Sequence, residues 1–165
     1  MIRIGVLSDT HGHIDEPLLD FFSECDEIWH AGDIGSSKVI DILSEKWKFR
    51  GVHGNIDDWE VRRMVPEFQE FTVENVPVLI THIGFHGNRF TQEARKRIDS
   101  SKPALFICGH SHILKIKFDK EYNLLELNPG AAGIYGFHQV RTAVRFSISG
   151  NRIENLEVWE KGRAS

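Results

Sequence analysis

Ile2-Arg3-Ile4-Gly5-Val6-Leu7-Ser8-Asp9-Thr10-His11-Gly12-His13 is the stretch on which the reading of this chain turns. A short, nearly continuous apolar run gives way at once to a polar loop. A run of that length fits a strand buried on both faces. An acid and an imidazole just past its carboxyl end stand where α/β proteins bind their ligands. The same unit then recurs. Residues 27–30 read as a strand ending at Ala31-Gly32-Asp33, and residues 49–52 as one ending at His53-Gly54-Asn55-Ile56-Asp57. Residues 78–81 lead into His82, and residues 104–108 into Gly109-His110-Ser111-His112.

Helices separate these strands. Asp15-Glu16-Pro17 opens one, with Leu18 and Phe22 four apart. Ser36 or Ser37 caps a second that buries Val39, Ile40, Leu43 and Trp47, and Thr91 caps a third that Lys102-Pro103 stops. Residues 58–66 show no clear period and read as loop or short helix. Residues 68–73 read as a strand. Beyond His112 the pattern is antiparallel: residues 113–118 and 124–127 flank a turn, and residues 140–149 alternate apolar and polar. Gly150-Asn151 turns into a last strand over 152–159, and residues 161–165 read as a frayed tail. The class is α/β with a β-rich end, which needs two sheets or one mixed sheet with helices on the faces. If the ligand-bearing strands run parallel, their polar ends converge.

Composition sets the bounds. With 165 residues, 41% hydrophobic and 27% charged, the chain suits a single globular domain, 1–165. No apolar run is long enough to span a bilayer, and no secretory leader is read at the start, so a cytoplasmic location and no membrane partner are expected. A net charge of −4 gives no indication of nucleic acid as a partner. Cys25 and Cys108 build no disulfide framework and read as packing residues. The unusual count is nine histidines.

The strand ends carry Asp9, His11, Asp33, Asn55, His82, His110 and His112, oxygen and imidazole donors without a thiolate. Such a set suits Mn, Fe, Ni, Co or Zn. It is too large for one tetrahedral zinc and about right for two ions, given one bridging carboxylate. Each piece alone is a common loop motif. All of them in order, each at a strand end, are not. His13, His30, His53, His86 and His138 read as structural or solvent-facing.

The ordered set Asp9-x-His11, Gly32-Asp33, Gly54-Asn55, His82 and Gly109-His110-x-His112 resembles the calcineurin-like metallophosphoesterase superfamily. Ser8-Asp9-Thr10-His11-Gly12 and Asn128-Pro129-Gly130 are most similar to its small YfcE-type phosphodiesterase branch. The resemblance implies a four-layer α-β-β-α sandwich of two mixed β-sheets flanked by helices, the metallo-dependent phosphatase fold. It implies two divalent metal ions, manganese, nickel, iron or zinc. Asp9, His11, Asp33 and His112 would hold one, and Asp33, Asn55, His82 and His110 the other, with Asn128 beside the site. Two divalent ions against two carboxylates and a bridging hydroxide leave about one positive charge to attract a phosphate. The implied activity is phosphoester hydrolysis by that metal-bridging hydroxide, on a small-molecule phosphoester and most specifically a phosphodiester. Relatives are often dimers or tetramers.

One position departs from the family. Many members carry Gly-Asn-His, whose histidine assists the leaving group; here the residue is Ile56. Asp57 and His86 are the candidates for a substitute acid. Arg62, Arg63 and Arg89 are expected in loops that can face the site and hold a second phosphate or a nucleobase. A rival reading is a non-catalytic interaction scaffold on the same fold, as the retromer subunit Vps29 exemplifies. The full donor set argues for the enzyme.

Overall fold

The computed structural model describes residues 1–163. In chain order its elements are β1 (Ile2–Leu7), α1 (Glu16–Phe21), β2 (Glu27–His30), α2 (Ser37–Lys46), β3 (Lys48–Gly51) and α3 (Trp59–Met64). Then come β4 (Phe68–Val73), β5 (Val76–Thr81), β6 (Phe85–His86), β7 (Arg89–Phe90), α4 (Gln92–Ser101) and β8 (Leu105–Ile107). The β-rich end holds β9 (Leu114–Asp119), β10 (Leu124–Pro129), β11 (Val140–Ser149) and β12 (Arg152–Gly162).

The strands form two five-stranded sheets, ordered β12-β11-β1-β2-β3 and β4-β5-β8-β10-β9, with β6 and β7 as a separate hairpin. β1, β2 and β3 run parallel, as do β5, β8 and β10. Alternation decides which side chains meet. Ile4, Val6, Trp29, Val144 and Phe146 of the first sheet pack on Val78, Ile80, Leu105, Ile107 and Leu127 of the second. The outer face of the first sheet, with Ile28 and Ala143, is covered by Leu18 of α1, Val39 and Leu43 of α2 and Val61 of α3. On the second sheet Leu79 and Phe106 are covered by Ala94 and Ile98 of α4. The result is the expected four-layer α-β-β-α sandwich. Among the described residues, no helix is long and apolar enough to cross a membrane.

The caps follow the sequence. Ser36 accepts from the Lys38 N–H at 3.2 Å, and Thr91 from the Ala94 N–H at 3.1 Å. Residues 58–66 contain α3, short but capped by Asp58, which accepts from the Val61 N–H at 3.1 Å. Arg62 and Arg63 are therefore helical, and Arg89 lies in the β6–β7 hairpin, where the sequence suggested loops. The tail is more ordered than expected: β12 continues to Gly162, Lys161 pairs with Arg141, and the Arg163 N–H reaches the Gln139 carbonyl at 3.1 Å. Ala164 and Ser165 lie outside the described residues. Burial pushes the Cys25 and Cys108 thiols up to about 11 and about 12, which keeps both protonated and inert.

Arg141 is the one fully buried cation among the largest buried side chains. It donates to both carboxylate oxygens of Asp15, at 2.7 and 3.0 Å, and to the Ala132 carbonyl at 2.8 Å. It thus ties the start of α1 to residues 131–133. Removing the part-exposed carboxylate leaves buried Arg141 with the Ala132 carbonyl, so Asp15→Ala should cost about 1–3 kcal/mol. Arg141 lowers Asp15 from 3.8 to about 2. A depressed carboxyl stabilises the fold above its unfolded value and loses that contribution as pH falls towards its folded one. Urea denaturation should show the full gap between native and Asp15→Ala proteins at pH 7, narrowing as pH falls from about 4 to about 2. An equal gap throughout would show that the Asp15 carboxylate is not what neutralises Arg141.

Candidate metal centre

Every donor singled out in the sequence follows a parallel strand. Asp9 and His11 follow β1, Asp33 follows β2, Asn55 follows β3, His82 follows β5, and His110 and His112 follow β8. The sequence left open whether these strands share a sheet. They are split between two, and the carboxyl ends of both parallel sets open on one end of the sandwich. Backbone hydrogen bonds lace neighbouring loops together, and the one from Gly133 links loops that follow strands of different sheets. Asp9 N–H donates to Gly32, His11 N–H to Asp33, Gly109 N–H to His82, and Gly133 N–H to Asp9, at 2.9 to 3.2 Å.

The backbone is bent to aim these side chains. Asp9, His11, Asp33, His110 and His112 have φ of 55°, 45°, 54°, 72° and 63°, in the left-handed region. Non-glycine residues rarely adopt it, although Asp and His do so more than most. One glycine is required for a different reason: a Cβ on Gly54 would collide with the Asp33 carboxylate.

Two groups of donor atoms result. Asp9, His11 and His112 form one, and Asp33, His82 and His110 the other, each with its ligand atoms within 4.8 Å of one another. Asp33 Oδ2 lies 3.2 Å from His82 Nε2 and 3.4 Å from His11 Nε2, so its carboxylate faces both groups. Asp9 Oδ1 lies 3.2 Å from His112 Nε2. Asn55 lines a cavity of about 430 Å³ with His82 and a second of about 480 Å³ with His11, Asp33, His110 and His112.

Asp9 Oδ1, His11 Nε2 and His82 Nε2 are buried without a hydrogen-bond partner. Buried polar atoms are almost always paired, so three that face one another need an explanation. A divalent ion about 2.0–2.2 Å from each N or O donor leaves adjacent donors roughly 3–3.6 Å apart, close to the 3.2 to 3.9 Å between these carboxylate and imidazole atoms. The donor set therefore fits a pair of divalent cations.

The charges agree. Burial alone would raise Asp9, but His11, His112, His82 and the Ser8 hydroxyl outweigh it and hold it below the usual carboxylate range. Asp33 behaves likewise, with burial outweighed by His11, His82 and the Ile56 N–H. Asp33 and then Asp9 raise His11 to about 9. Burial opposes the protonation of His82, yet Asp33 and Asp9 raise it too. The centre thus favours positive charge.

Neighbours set the tautomers. His82 Nδ1 donates to the Ala31 carbonyl at 2.8 Å, leaving the Nε2 lone pair facing the carboxylates. His30, which the sequence marked only as structural, is fully buried beneath the Asp9 loop. Its Nδ1 accepts from the Gly32 N–H at 3.1 Å and its Nε2 donates to Thr10 Oγ1 at 3.0 Å. Burial lowers it to about 3, so it is neutral. Asn128 props the loop after β8, donating to the Gly109 carbonyl at 3.1 Å and to Ser111 Oγ at 3.0 Å.

The two candidate acids differ in placement. Asp57 is buried, and its oxygens accept from the N–H groups of Ile34, Gly35 and Gly54 at 3.1, 2.7 and 2.7 Å. Both carboxylate oxygens are thus committed to N–H donors, and Asp57 acts as a latch between the β2 and β3 loops. His86 is exposed on the β6–β7 hairpin and borders the cavities that contain His82 and His110. Ile56 is half exposed at the rim. Arg62 faces the first cavity, but its guanidinium donates to the carbonyls of Asp57, Gly54 and Asn55.

His138 is the site residue that the sequence reading missed. It lies far along the chain in no recognisable motif. Its Nε2 donates to the Gly133 carbonyl at 2.8 Å, and its Nδ1 lies 3.3 Å from His112 Nδ1. A neutral His138 therefore accepts from His112 Nδ1–H, which leaves the His112 Nε2 lone pair facing Asp9. Burial lowers His138, consistent with a neutral ring. Gly136 makes room, since a side chain there would strike the His112 ring.

Residues 2–151 match the calcineurin-like phosphoesterase superfamily domain, and the chain belongs to that superfamily. It is 29% identical over 133 residues to a probable metallophosphoesterase of Methanothermobacter thermautotrophicus, covering 78% of this chain and 76% of that one. Among solved structures it resembles a single mutant of Vps29 from Entamoeba histolytica, with a TM-score of 0.76 and 17% identity over 98% of this chain and 99% of that one. It also resembles a novel archaeal phosphodiesterase, with a TM-score of 0.74 and 21% identity over 96% of this chain and 100% of that one. At those identities the structural likeness is one of fold.

The His112–His138 contact makes a spectroscopic prediction. Nitrogen NMR of the Zn²⁺-loaded protein at neutral pH should show His112 protonated at Nδ1 and bound through Nε2. His138→Ala should give a mixture of tautomers and weaken Mn²⁺ binding by about 10–100-fold. A His112 signal unchanged by the substitution would remove His138 from the site.

Proposed function

We propose that the chain is a phosphodiesterase that works with two divalent ions. Asp9, His11, Asp33 and His112 hold one ion, Asp33, Asn55, His82 and His110 hold the other, and Asp33 serves both. The single observation that carries this reading is the set of buried, unpartnered atoms Asp9 Oδ1, His11 Nε2 and His82 Nε2 converging beside Asp33. When bound, such ions supply Lewis acidity, which withdraws charge from phosphoryl oxygens and makes water acidic enough to attack at neutral pH.

The protein's own share is arrangement. Two carboxylates against two divalent ions leave positive charge to draw in a phosphate. Asn55 and the neutral imidazoles complete the set without cancelling that charge. The His82–Ala31 and His112–His138 contacts keep the ligating lone pairs pointed inward. A scaffold on this fold would need none of these features, and a likeness to Vps29 in fold does not distinguish the two.

With mixed N/O donors, Mn²⁺ and Ni²⁺ are the metals to supply first. A chelator should abolish hydrolysis of bis(p-nitrophenyl) phosphate, and added Mn²⁺ should restore it. Asp33→Asn should lose more activity and more bound metal than Asp9→Asn, and His13→Ala less than either. Full activity in a demonstrably metal-free preparation would overturn the reading.

Ile56 bears on the departing oxygen. Nitrophenolate leaves without a proton, whereas an alkoxide needs an acid worth about 10²–10⁴-fold. Aryl diesters should therefore be cleaved faster than alkyl ones by a factor in that range. A rate series against leaving-group pKa, run with native and His86→Ala proteins, checks this. A flat native series would show an acid in place, and a series that steepens only in His86→Ala would identify it as His86.

A further inference from the structure

Three large apolar side chains stand exposed at the mouth of one cavity. Phe137 is 101% exposed, Ile113 68% and Ile56 46%. All three line the cavity of about 480 Å³ that contains His11, Asp33, His110 and His112. A lone exposed apolar residue means little, but several gathered around an ionic centre mark a surface that a ligand covers. They come from the β3, β8 and β10 loops, so the apolar wall is assembled by the same folding that assembles the donors.

The opposite side has different chemistry. Asn55 and His82 also border the cavity of about 430 Å³, whose wall includes Arg62, Glu67, Thr91 and Glu93. Arg62 directs Nε and Nη2 to the backbone carbonyls of Asp57, Gly54 and Asn55. Glu67 and Glu93 outnumber its charge in that wall and repel a second phosphate. Hydroxyl and carboxylate groups suit a neutral partner rich in hydroxyls.

We infer that the substrate is a phosphodiester joining a flat, apolar alcohol to a neutral, hydroxyl-bearing one. The apolar group lies against Ile56, Ile113 and Phe137, and the hydroxyl-bearing group lies towards Thr91 and Glu93. The inference rests on the proposed diesterase reading and makes it specific. A monoester fills one side of the centre and leaves the other empty. A diester fills both. At this position, where many relatives carry a histidine, Ile56 serves the apolar wall.

The test is binding to the Mn²⁺-loaded protein by calorimetry, with the non-hydrolysable phosphonate analogues of benzyl glyceryl phosphate, methyl glyceryl phosphate and benzyl phosphoglyceryl phosphate as probes, each called below by its parent ester. Benzyl glyceryl phosphate should bind about tenfold more tightly than the methyl compound, from apolar contact with the wall. Phe137→Ser should shrink that ratio to within about threefold. Phe137 is fully exposed, so the variant should keep the native melting temperature. The phosphoglyceryl compound should bind more weakly than its neutral counterpart. Equal binding of the benzyl and methyl compounds, or a ratio indifferent to Phe137→Ser, would overturn the apolar side. Tighter binding of the doubly phosphorylated compound would overturn the neutral side. Failure to hydrolyse bis(p-nitrophenyl) phosphate would count against the diesterase reading alone, because these affinities are measured without turnover.

Discussion

Left-handed backbone at Asp9, His11, Asp33, His110 and His112 is the constraint on which the rest of the structure depends. Each such residue costs roughly 1–2 kcal/mol relative to ordinary backbone. Strain of that kind persists only where the surroundings over-determine it. Here they do. The loops after β1 and β2 exchange backbone hydrogen bonds, Asp9 N–H to Gly32 and His11 N–H to Asp33, while Gly133 N–H holds the Asp9 carbonyl. What the molecule obtains is convergence: carboxylates and imidazoles that would avoid one another in a relaxed chain point into one small volume.

The sandwich makes this possible. Loops from a single sheet would supply donors from one side only. Two parallel sets facing each other bring Asp9, His11, Asp33 and Asn55 from one sheet against His82, His110 and His112 from the other. The apolar layer between them, built around Trp29, Phe146, Ile80 and Ile107, fixes their separation. Polar latches fix the loops above it. Asp57 binds the β2 loop to the β3 loop, Arg62 holds the β3 loop from outside, and Arg141 with Asp15 secures α1 against residues 131–133. Arg62 reaches only the backbone carbonyl of Asn55, and the other latches touch no donor, yet each limits where a donor can go.

Much of this was legible in the sequence because it is local. Short, mainly apolar runs identified β1 and β8, the Ala31-Gly32-Asp33 break marked the end of β2, alternation identified β11, and Ser36 and Thr91 announced their helices. The donors could be read because each follows its strand directly. What could not be read depends on distant pairing. Nothing in residues 1–112 says that the parallel strands divide between two sheets, since that choice is made by β11 joining β1 and by β10 joining β8. The β6–β7 hairpin is too short to show a period. Asp57 looked like a free carboxyl because its three N–H donors come from Ile34, Gly35 and Gly54. His138 carried no signal, because its partner His112 lies 26 residues away.

The central claim is that strained loops hold two cation sites that share Asp33. Crystals soaked in Mn²⁺, with diffraction recorded on either side of the manganese absorption edge, test it most directly. The account predicts two anomalous peaks per chain, one among Asp9, His11 and His112 and one among Asp33, His82 and His110, with the Asp33 carboxylate between them. A single peak, or peaks away from Asp33, would contradict it.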